Sequence, residues 1–274
     1  MTDDDRAHAL PHAPRPQAGG GPGQVESTSD RVIITGDGSR TLHHAEAGQT
    51  YGSEHGAVAE ARHVFLHGSG VAERLAAGRP TRVIEVGLGS GLNLLLTWDR
   101  ARRCGTSLAY LAFEREPPRP AEVAALGYHD LVDDPALVPA WLRVLESLQR
   151  HAADGAPRLW TSSDGPDGTS VGDGPALPGL TLQVALGDAL AGDGVSPSVL
   201  TRGALAQHPA DAVYHDAFSP AASPGLWSPA FLTACAGALA PGGTWVSYSV
   251  AGSVRRALAE AGLEVRKLRG PPGG

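Results

Sequence analysis

Apolar and polar positions along the chain follow two alternating periods. We predict strands at the short apolar runs 81–86, 108–113, 182–186, 212–214, 245–248 and 263–268. Apolar residues at three- and four-residue spacing predict helices over 57–66, 92–103, 136–150, 229–239 and 253–261. Strands that alternate with helices favour a mostly parallel sheet with helices on both faces. The predicted fold class is therefore α/β.

Segments rich in glycine, proline and polar residues interrupt this alternation. Residues 1–30 have no apolar pattern and predict a disordered tail, and residues 31–274 predict a single domain. In that domain, residues 31–80 supply a small hairpin and a helix, and residues 81–274 supply the sheet core. Residues 151–180 predict a long Gly/Pro-rich loop, either a lid or an inert insertion.

Composition and charge narrow the possible classes of protein. The two cysteines, Cys104 and Cys235, lie far apart, and no metal-ligand spacing occurs, so we expect neither a disulfide framework nor a metal site. The absence of a long apolar run or a secretory signal favours the cytoplasm and no membrane contact. A net charge of −7 disfavours bulk electrostatic binding of nucleic acid. Basic residues concentrate near the carboxyl terminus, where Arg255 and Arg256 are candidates for phosphate contacts.

A strand-to-helix turn carries the strongest chemical signal. The predicted strand 81–86 leads into Gly87, Gly89 and Gly91, and a helix follows at once. Glycine lets the backbone turn sharply and lets a ligand approach without meeting a Cβ, although a tight turn without a ligand fits as well. Glu85 stands two residues before the first glycine, as in sites for S-adenosylmethionine (SAM). A carboxylate suits a cationic sulfonium and would repel a pyrophosphate.

Acidic residues follow three further predicted strands. Glu114, Asp188 and Asp216 each stand at or just after the carboxyl end of a strand. The carboxyl ends of parallel strands border the crevice where open α/β sheets bind ligands. Glu114 is placed to accept hydrogen bonds from ribose hydroxyl groups, and Asp188 to reach an adenine amino group. Together these acids predict a nucleoside-binding crevice.

The ordered set of motifs resembles the MnmC/MnmD family. The similar segments are 51–53, 60–66, 83–98, 112–114, 187–188, 216–220 with Pro224 and Trp227, 239–244 and 252–258. This family comprises the SAM-dependent methyltransferases that finish 5-methylaminomethyl-2-thiouridine at the tRNA wobble position. The similarity extends in order over roughly residues 40–270, and it corresponds to the stand-alone methyltransferase form.

The resemblance implies a class I, Rossmann-like methyltransferase that uses SAM to methylate a primary amine on tRNA. Its implied cofactor-binding residues are Glu85, Gly87, Gly89, Gly91, Asn93, Glu114 and Asp188. Asp216 is the implied catalytic acid beside the reacting amine, and Phe218, Trp227, Arg255 and Arg256 are the implied substrate-binding residues. A class I sheet normally ends in an antiparallel strand, which we expect to be missing from this chain.

Alternative functions remain open at this point. In one alternative, the chain methylates another amine or another RNA base. In the other alternative, the chain is a non-catalytic SAM-binding or interaction protein. A nicotinamide dehydrogenase is disfavoured, because Leu92 occupies the last glycine position of the Gly-x-Gly-x-x-Gly pattern. Trp227 either packs within the protein or stacks on a base of the substrate. His215 is expected in the core behind the sheet, because adjacent residues of a strand face opposite sides of a sheet. Cys235 is expected in the core because it lies in the middle of the predicted helix 229–239.

Overall fold

The amino-terminal part of the structure is a small antiparallel sheet. The computed structural model describes residues 31–162, 172–190, 208–249 and 251–270, so the tail predicted over 1–30 lies outside the described residues. Strands β1 (Val32–Ile34), β2 (Arg40–His44) and β3 (Gln49–Thr50) pair in that order. Ile33 pairs with Thr41, which confirms the predicted hairpin.

A six-stranded sheet forms the centre of the molecule. Its strands are β4 (Thr81–Val86), β5 (Leu108–Glu114), β6 (Arg158–Thr161), β7 (Leu180–Leu186), β8 (Ala210–His215) and β9 (Leu239–Val246). Their order across the sheet is β6-β7-β5-β4-β8-β9. All neighbours are parallel except β6, which runs antiparallel to β7. The order reverses next to β4, which places the ligand crevice of this topology there.

Helices cover both faces of this sheet. They are α1 (Ala57–Glu60), which continues as a π-helix over Ala61–His67, then α2 (Val71–Ala76), α3 (Leu92–Arg103), α4 (Pro120–Ala124), α5 (Leu137–Ala152), α6 (Pro229–Gly237) and α7 (Gly252–Glu260). Successive residues of β4 enter different cores, because side chains alternate along a strand. Val83 packs with residues of α3 and α5, and Ile84 packs with residues of α6 and α7. The predicted α/β, Rossmann-like fold class is confirmed.

The structure corrects two parts of the prediction. β6 lies inside the predicted 151–180 loop, where Trp160 is fully buried and its indole N–H donates to the Ser147 hydroxyl at 3.0 Å. Residues 263–270 form no strand, so the predicted strand 263–268 is wrong. In the described part of the chain β9 therefore stays at the edge of the sheet, without a strand on its outer side. Among the described helices, none has the length and apolar character to cross a membrane.

Candidate active site

A cavity of about 500 Å³ opens at the carboxyl ends of the central strands. Its wall includes Gly87 and Gly89 after β4, Glu114 at the end of β5, Asp188 after β7 and Asp216 after β8. Parallel strands bring these sequence-distant residues to one edge of the sheet. The volume lies within the usual range for pockets that bind small molecules and cofactors.

The three glycines of the turn are required by close contacts within the protein. All have positive φ angles, of 89° at Gly87, 52° at Gly89 and 81° at Gly91. A Cβ on Gly87 would lie 2.7 Å from the Asp216 carbonyl oxygen, and a Cβ on Gly89 would lie 2.6 Å from the Tyr51 ring. A Cβ on Gly91 would overlap the Trp141 indole. Only Gly87 and Gly89 line the cavity, so Gly91 serves packing and not ligand approach.

Glu114 joins the glycine turn to the end of β5. Its carboxylate accepts the backbone N–H of Gly89 at 2.8 Å and that of Glu116 at 2.7 Å. Burial raises the pKa of Glu114, against the lowering effect of these hydrogen bonds. A carboxylate offers about four acceptor positions, so Glu114 retains capacity for ribose hydroxyl groups from the cavity.

Asn93 connects two acidic side chains beneath the cavity. Its Nδ2 donates to Glu85 Oε1 at 2.9 Å and to Asp216 Oδ2 at 2.8 Å. The Tyr110 hydroxyl donates to Glu85 Oε2 at 2.9 Å, so both oxygens of Glu85 are held by the protein. Glu85 is buried and lies outside the cavity lining, whereas Asn93 and Asp216 line it. Asn93 therefore lies between Glu85 and the cavity, and a role of Glu85 in cofactor binding stays a prediction.

Both acids of this chain of hydrogen bonds favour the protonated form. Burial raises the pKa of Glu85 to about 8. Burial also raises the pKa of Asp216 well above its ordinary value, and the nearby charges of Glu85 and Glu60 raise it further. Perturbed carboxyl groups in a cavity are typical of acid–base sites. Asp216 is therefore suited to accept a proton from a bound group.

The amino-terminal hairpin forms the wall of the cavity opposite the sheet. The Phe218 ring centroid lies 5.1 Å from that of His44 and 5.5 Å from that of Tyr51. Gln49 Nε2 donates to the Ser219 hydroxyl at 2.6 Å, and the Ser219 backbone N–H donates to Gln49 Oε1 at 3.0 Å. The hairpin thus contacts the β8 loop (residues 216–220) directly.

Sequence reasoning missed the role of this wall and of Glu60. Glu60 lines the cavity at the junction between α1 and the π-helix, and its carboxylate accepts the Ser53 backbone N–H at 3.2 Å. Burial raises the pKa of Glu60. π-Helical turns are frequent at functional sites. Tyr51 and Glu60 belong to segments that carried the family resemblance, and that was the only signal in the sequence.

The structure divides the implied substrate-binding residues into two groups. Phe218 lines the cavity. Trp227 is buried, and its indole N–H donates to the Phe218 carbonyl at 2.7 Å, so it supports the loop and presents no face for a base. Arg255 and Arg256 are exposed on α7, outside the cavity lining.

The expected core residues lie where the sequence placed them. His215 and Cys235 are fully buried on the α6 face of the sheet. His215 contacts Trp227 with a ring centroid distance of 4.3 Å. In the described part of the chain, no group of three or more His, Cys, Asp or Glu side chains is arranged to hold a metal ion.

The cavity fits SAM by the chemistry of its walls. Leu88, Phe113 and Leu190 add apolar surface to the cavity that Glu114 and Asp188 also line, as an adenine ring requires. The glycine turn leads into the amino terminus of α3, which favours a negatively charged group such as the carboxylate of the methionine part. Asn93 and Asp216 face the cavity beyond this turn. The residues present therefore match the two ends of the cofactor.

Comparisons with known proteins found similar sequences and a similar fold. The protein family described as S-adenosyl-L-methionine-dependent methyltransferase matches residues 177–273. The chain is 33% identical over 229 residues to the tRNA 5-methylaminomethyl-2-thiouridine biosynthesis bifunctional protein MnmC of Cupriavidus necator, and 34% identical to that of Ralstonia nicotianae. Each match covers 80% of this chain and 30% of the relative, so the chain spans about a third of the length of these relatives.

A solved structure shows the same architecture. The structure of MNMC2 from Aquifex aeolicus superposes with a TM-score of 0.58 at 26% sequence identity, covering 85% of this chain and 64% of that one. Fold, cavity and sequence matches together define the class, and the chain is a SAM-dependent methyltransferase. Within that class, its relatives confirm the resemblance to the MnmC/MnmD family.

Proposed function

We propose that this chain methylates the primary amine of 5-aminomethyl-2-thiouridine at the wobble position of tRNA. The observation that carries the proposal is the Asp216 carboxyl, which Asn93 holds at the cavity wall beyond the cofactor-binding turn. The MnmC relatives, named for biosynthesis of the methylated nucleoside, support this acceptor. An enzyme with this substrate acts in the cytoplasm, where tRNA is found.

The cofactor is held by groups on one side of the cavity. Glu114 accepts hydrogen bonds from the ribose, Asp188 lies in reach of the adenine amino group, and the backbone of Gly87 and Gly89 borders the methionine part. When bound there, SAM supplies an electrophilic methyl group on a sulfonium. Methyl transfer needs little covalent help, so most of the catalytic effect comes from positioning the amine in line with that methyl group.

Asp216 prepares the amine for attack. A primary amine is mostly protonated at neutral pH and has no free electron pair in that state. Without a ligand Asp216 favours the protonated form, and an ammonium group bound beside it would favour the carboxylate, with the Asp216 proton released to solvent. The carboxylate then takes one proton from the ammonium group, which leaves a neutral amine. The free electron pair of the neutral amine could then attack the methyl group that bound SAM would supply, with the sulfur as the leaving group. The raised pKa of Asp216 favours this proton transfer.

Contacts to the tRNA backbone are proposed on α7. Arg255 and Arg256 are exposed in the first half of this helix, which starts after the carboxyl end of β9. This end of the sheet is the one at which the cavity opens. Arginine side chains bind phosphate through several N–H donors at once. Two such contacts compensate in part for the overall negative charge of the chain.

Nucleoside analysis tests the proposed function. Purified protein, SAM and tRNA from a strain that lacks this methylation are incubated, and the digested nucleosides are separated by liquid chromatography and mass spectrometry. We expect a gain of one methyl group on 5-aminomethyl-2-thiouridine and no other methylated nucleoside. Labelling of another base, or of free amines only, would replace this acceptor by one of the alternatives.

A further inference from the structure

The β8 loop is held from two directions. On the sheet side, the Trp227 indole N–H donates to the Phe218 carbonyl at 2.7 Å, and the Tyr248 hydroxyl donates to the Ala217 carbonyl at 2.8 Å. On the opposite side, the only hydrogen bonds between described residues of the hairpin and this loop are the two that join Gln49 to Ser219. The loop thus lies between a rigid core and a small, separate sheet.

The Gln49 side chain pairs with Ser219 as a backbone amide would. It accepts the Ser219 N–H at 3.0 Å and donates to the Ser219 hydroxyl at 2.6 Å. Two hydrogen bonds in opposite directions fix both the distance and the orientation of the loop relative to the hairpin. Ser219 is three residues after Asp216 and adjacent to Phe218, which both line the cavity.

The ring contacts of Phe218 depend on the same arrangement. Its ring lies against His44 on β2 and Tyr51 after β3, at centroid distances of 5.1 and 5.5 Å. Gln49 sits in the sequence between these two residues. Release of Ser219 would therefore let the hairpin and the loop separate along one wall of the cavity, while the hydrogen bonds of Trp227 and Tyr248 would still hold the loop backbone.

We propose that Gln49 is a positioning residue for methyl transfer: through Ser219 it fixes the β8 loop, and with it Asp216 and Phe218, relative to the hairpin wall. The chemistry of that wall is aromatic, because His44, Tyr51 and Phe218 line it together. It suits a planar base that carries the amine better than a small free amine. This inference rests on the proposed function for its acceptor, but the contact itself can be tested without one.

Variants of Gln49 test the proposal through kinetics. Gln49→Ala is expected to lower the single-turnover methylation rate about 10- to 100-fold at saturating tRNA and SAM, since small misplacements of reacting groups have effects of this order. SAM affinity measured by calorimetry should stay within about twofold, because the side-chain hydrogen bonds of Gln49 to described residues go to Ser219 and not to Glu114, Asp188 or the glycine turn. Gln49→Glu should restore most of the rate, because its carboxylate accepts both the N–H and the hydroxyl of Ser219. Ile34→Ala, at an exposed position of the same hairpin, is the matched control.

Hydrogen exchange of the loop tests the contact without an acceptor. In Gln49→Ala we expect faster amide exchange at Ser219, Ala222 and Ser223, whose N–H groups bond within or next to this loop. A wild-type exchange rate or a wild-type methylation rate in Gln49→Ala would overturn the proposal. A parallel loss of SAM affinity and thermal stability would reduce Gln49 to a purely structural role and also overturn it. If wild-type protein leaves tRNA unmethylated, the proposed acceptor fails, and the exchange result still decides the role of Gln49.

Discussion

At the scale of single residues, the proposed proton transfer rests on Asp216 and its hydrogen-bond partner Asn93. The Asp216 carboxyl accepts a hydrogen bond from Asn93 Nδ2. An aspartate after a strand often caps the following turn with its side-chain oxygen. Here the side chain points to the other acidic residues of the site, which favours a chemical role.

Substitution of Asp216 separates chemistry from structure. Asp216→Ala should leave SAM affinity unchanged and lower the methylation rate by about 10²–10⁴, the range for loss of an acid–base group. Asp216→Asn keeps an oxygen for Asn93 but carries no negative charge, so we expect nearly the same loss. A single-turnover assay on unmethylated tRNA measures both rates. Wild-type activity in Asp216→Asn would exclude Asp216 from the proton transfer.

Glu60 is predicted to act on Asp216 through its charge. Glu60 interacts electrostatically with Asp216, Tyr248 and His55. The other groups that interact with Asp216 are Glu85, Asn93, Tyr110 and Tyr248. The negative charge of Glu60 raises the pKa of Asp216, so Glu60→Gln should lower that pKa. We also expect about a tenfold lower methylation rate, because one nearby charge that stabilises the methylated ammonium is lost.

Carbon-13 NMR of the side-chain carboxyl groups measures the effect of Glu60→Gln directly. Glu73→Gln is the matched control, since Glu73 lies on the next helix with 65% of its side chain exposed. The control should leave the titration of Asp216 unchanged. An unaltered Asp216 titration in Glu60→Gln would contradict the electrostatic coupling, whichever acceptor the enzyme uses.

At the scale of elements, the turn between β4 and α3 is fixed by its neighbours. Gly91→Ala should destabilise the fold, because the new Cβ overlaps the Trp141 indole of α5 at a φ of 81°. We expect a loss of about 2–4 kcal/mol in the free energy of unfolding, from backbone strain and overpacking together. Gly78→Ala is the control, with a φ of 71° and no atom within 4 Å of the Cβ position.

Urea denaturation compares the loss of unfolding free energy in the Gly91 variant with that in the Gly78 variant. The control carries the backbone strain alone and should lose about 1–2 kcal/mol. Equal losses in both variants would show that the Trp141 contact adds nothing and that Trp141 moves aside. That outcome would contradict the packing role assigned to Gly91.

The elements that the sequence predicted best are those with regular periodicity. The predicted bounds of β4 and α3 coincide with the observed ones. β6 was missed because Gly/Pro-rich sequence surrounds it, and its strand depends on the burial of Trp160 and on pairing with β7. The strand predicted over 263–268 is absent because an apolar run forms a strand only with a partner, and no neighbouring strand pairs with this segment among the described residues.

The site was predictable only where topology brings strand ends together. Glu114, Asp188 and Asp216 follow strands of one parallel sheet, so their meeting at one edge follows from the fold class. Gln49 and Ser219 belong to different sheets and are separated by most of the chain. No periodicity or spacing in a single sequence indicates such a contact, and the roles of Tyr51 and Glu60 were missed for the same reason.

At the scale of the whole molecule, buried ionisable groups make stability depend on pH. Burial lowers the pKa of His215 to about 3, and neither ring nitrogen has a hydrogen-bond partner among the described residues. In the unfolded chain this histidine binds a proton below about pH 6.5, whereas the folded protein excludes it until about pH 3. Stability should therefore fall by about 1.4 kcal/mol per pH unit as the pH decreases through this interval.

Replacement of His215 measures how much this residue contributes to the pH dependence of stability. His215→Phe keeps an aromatic ring beside Trp227 and removes the titrating group. The slope of unfolding free energy against pH between 3 and 6.5 should therefore decrease by about 1.4 kcal/mol per pH unit, which corresponds to one proton. His129→Gln is the control, because His129 is 67% exposed. Glu85, with a raised pKa, acts in the opposite direction and destabilises as the pH rises from 4.5 to about 8. A slope equal to that of wild type in His215→Phe would contradict the lowered pKa.

The strand order also sets a sequence of events during synthesis. On one side of β4 lie β5 and then β7, and both are synthesised before β8, which pairs with β4 on the other side. The residues on the cofactor side of the crevice are therefore synthesised early. The hairpin is synthesised before them, and the β8 loop that it contacts follows last. Closing so long a loop is an entropically costly, late step of folding. Nascent chains arrested before residue 208 would therefore carry the glycine turn and Glu114 but neither Asp216 nor the contact between Gln49 and Ser219.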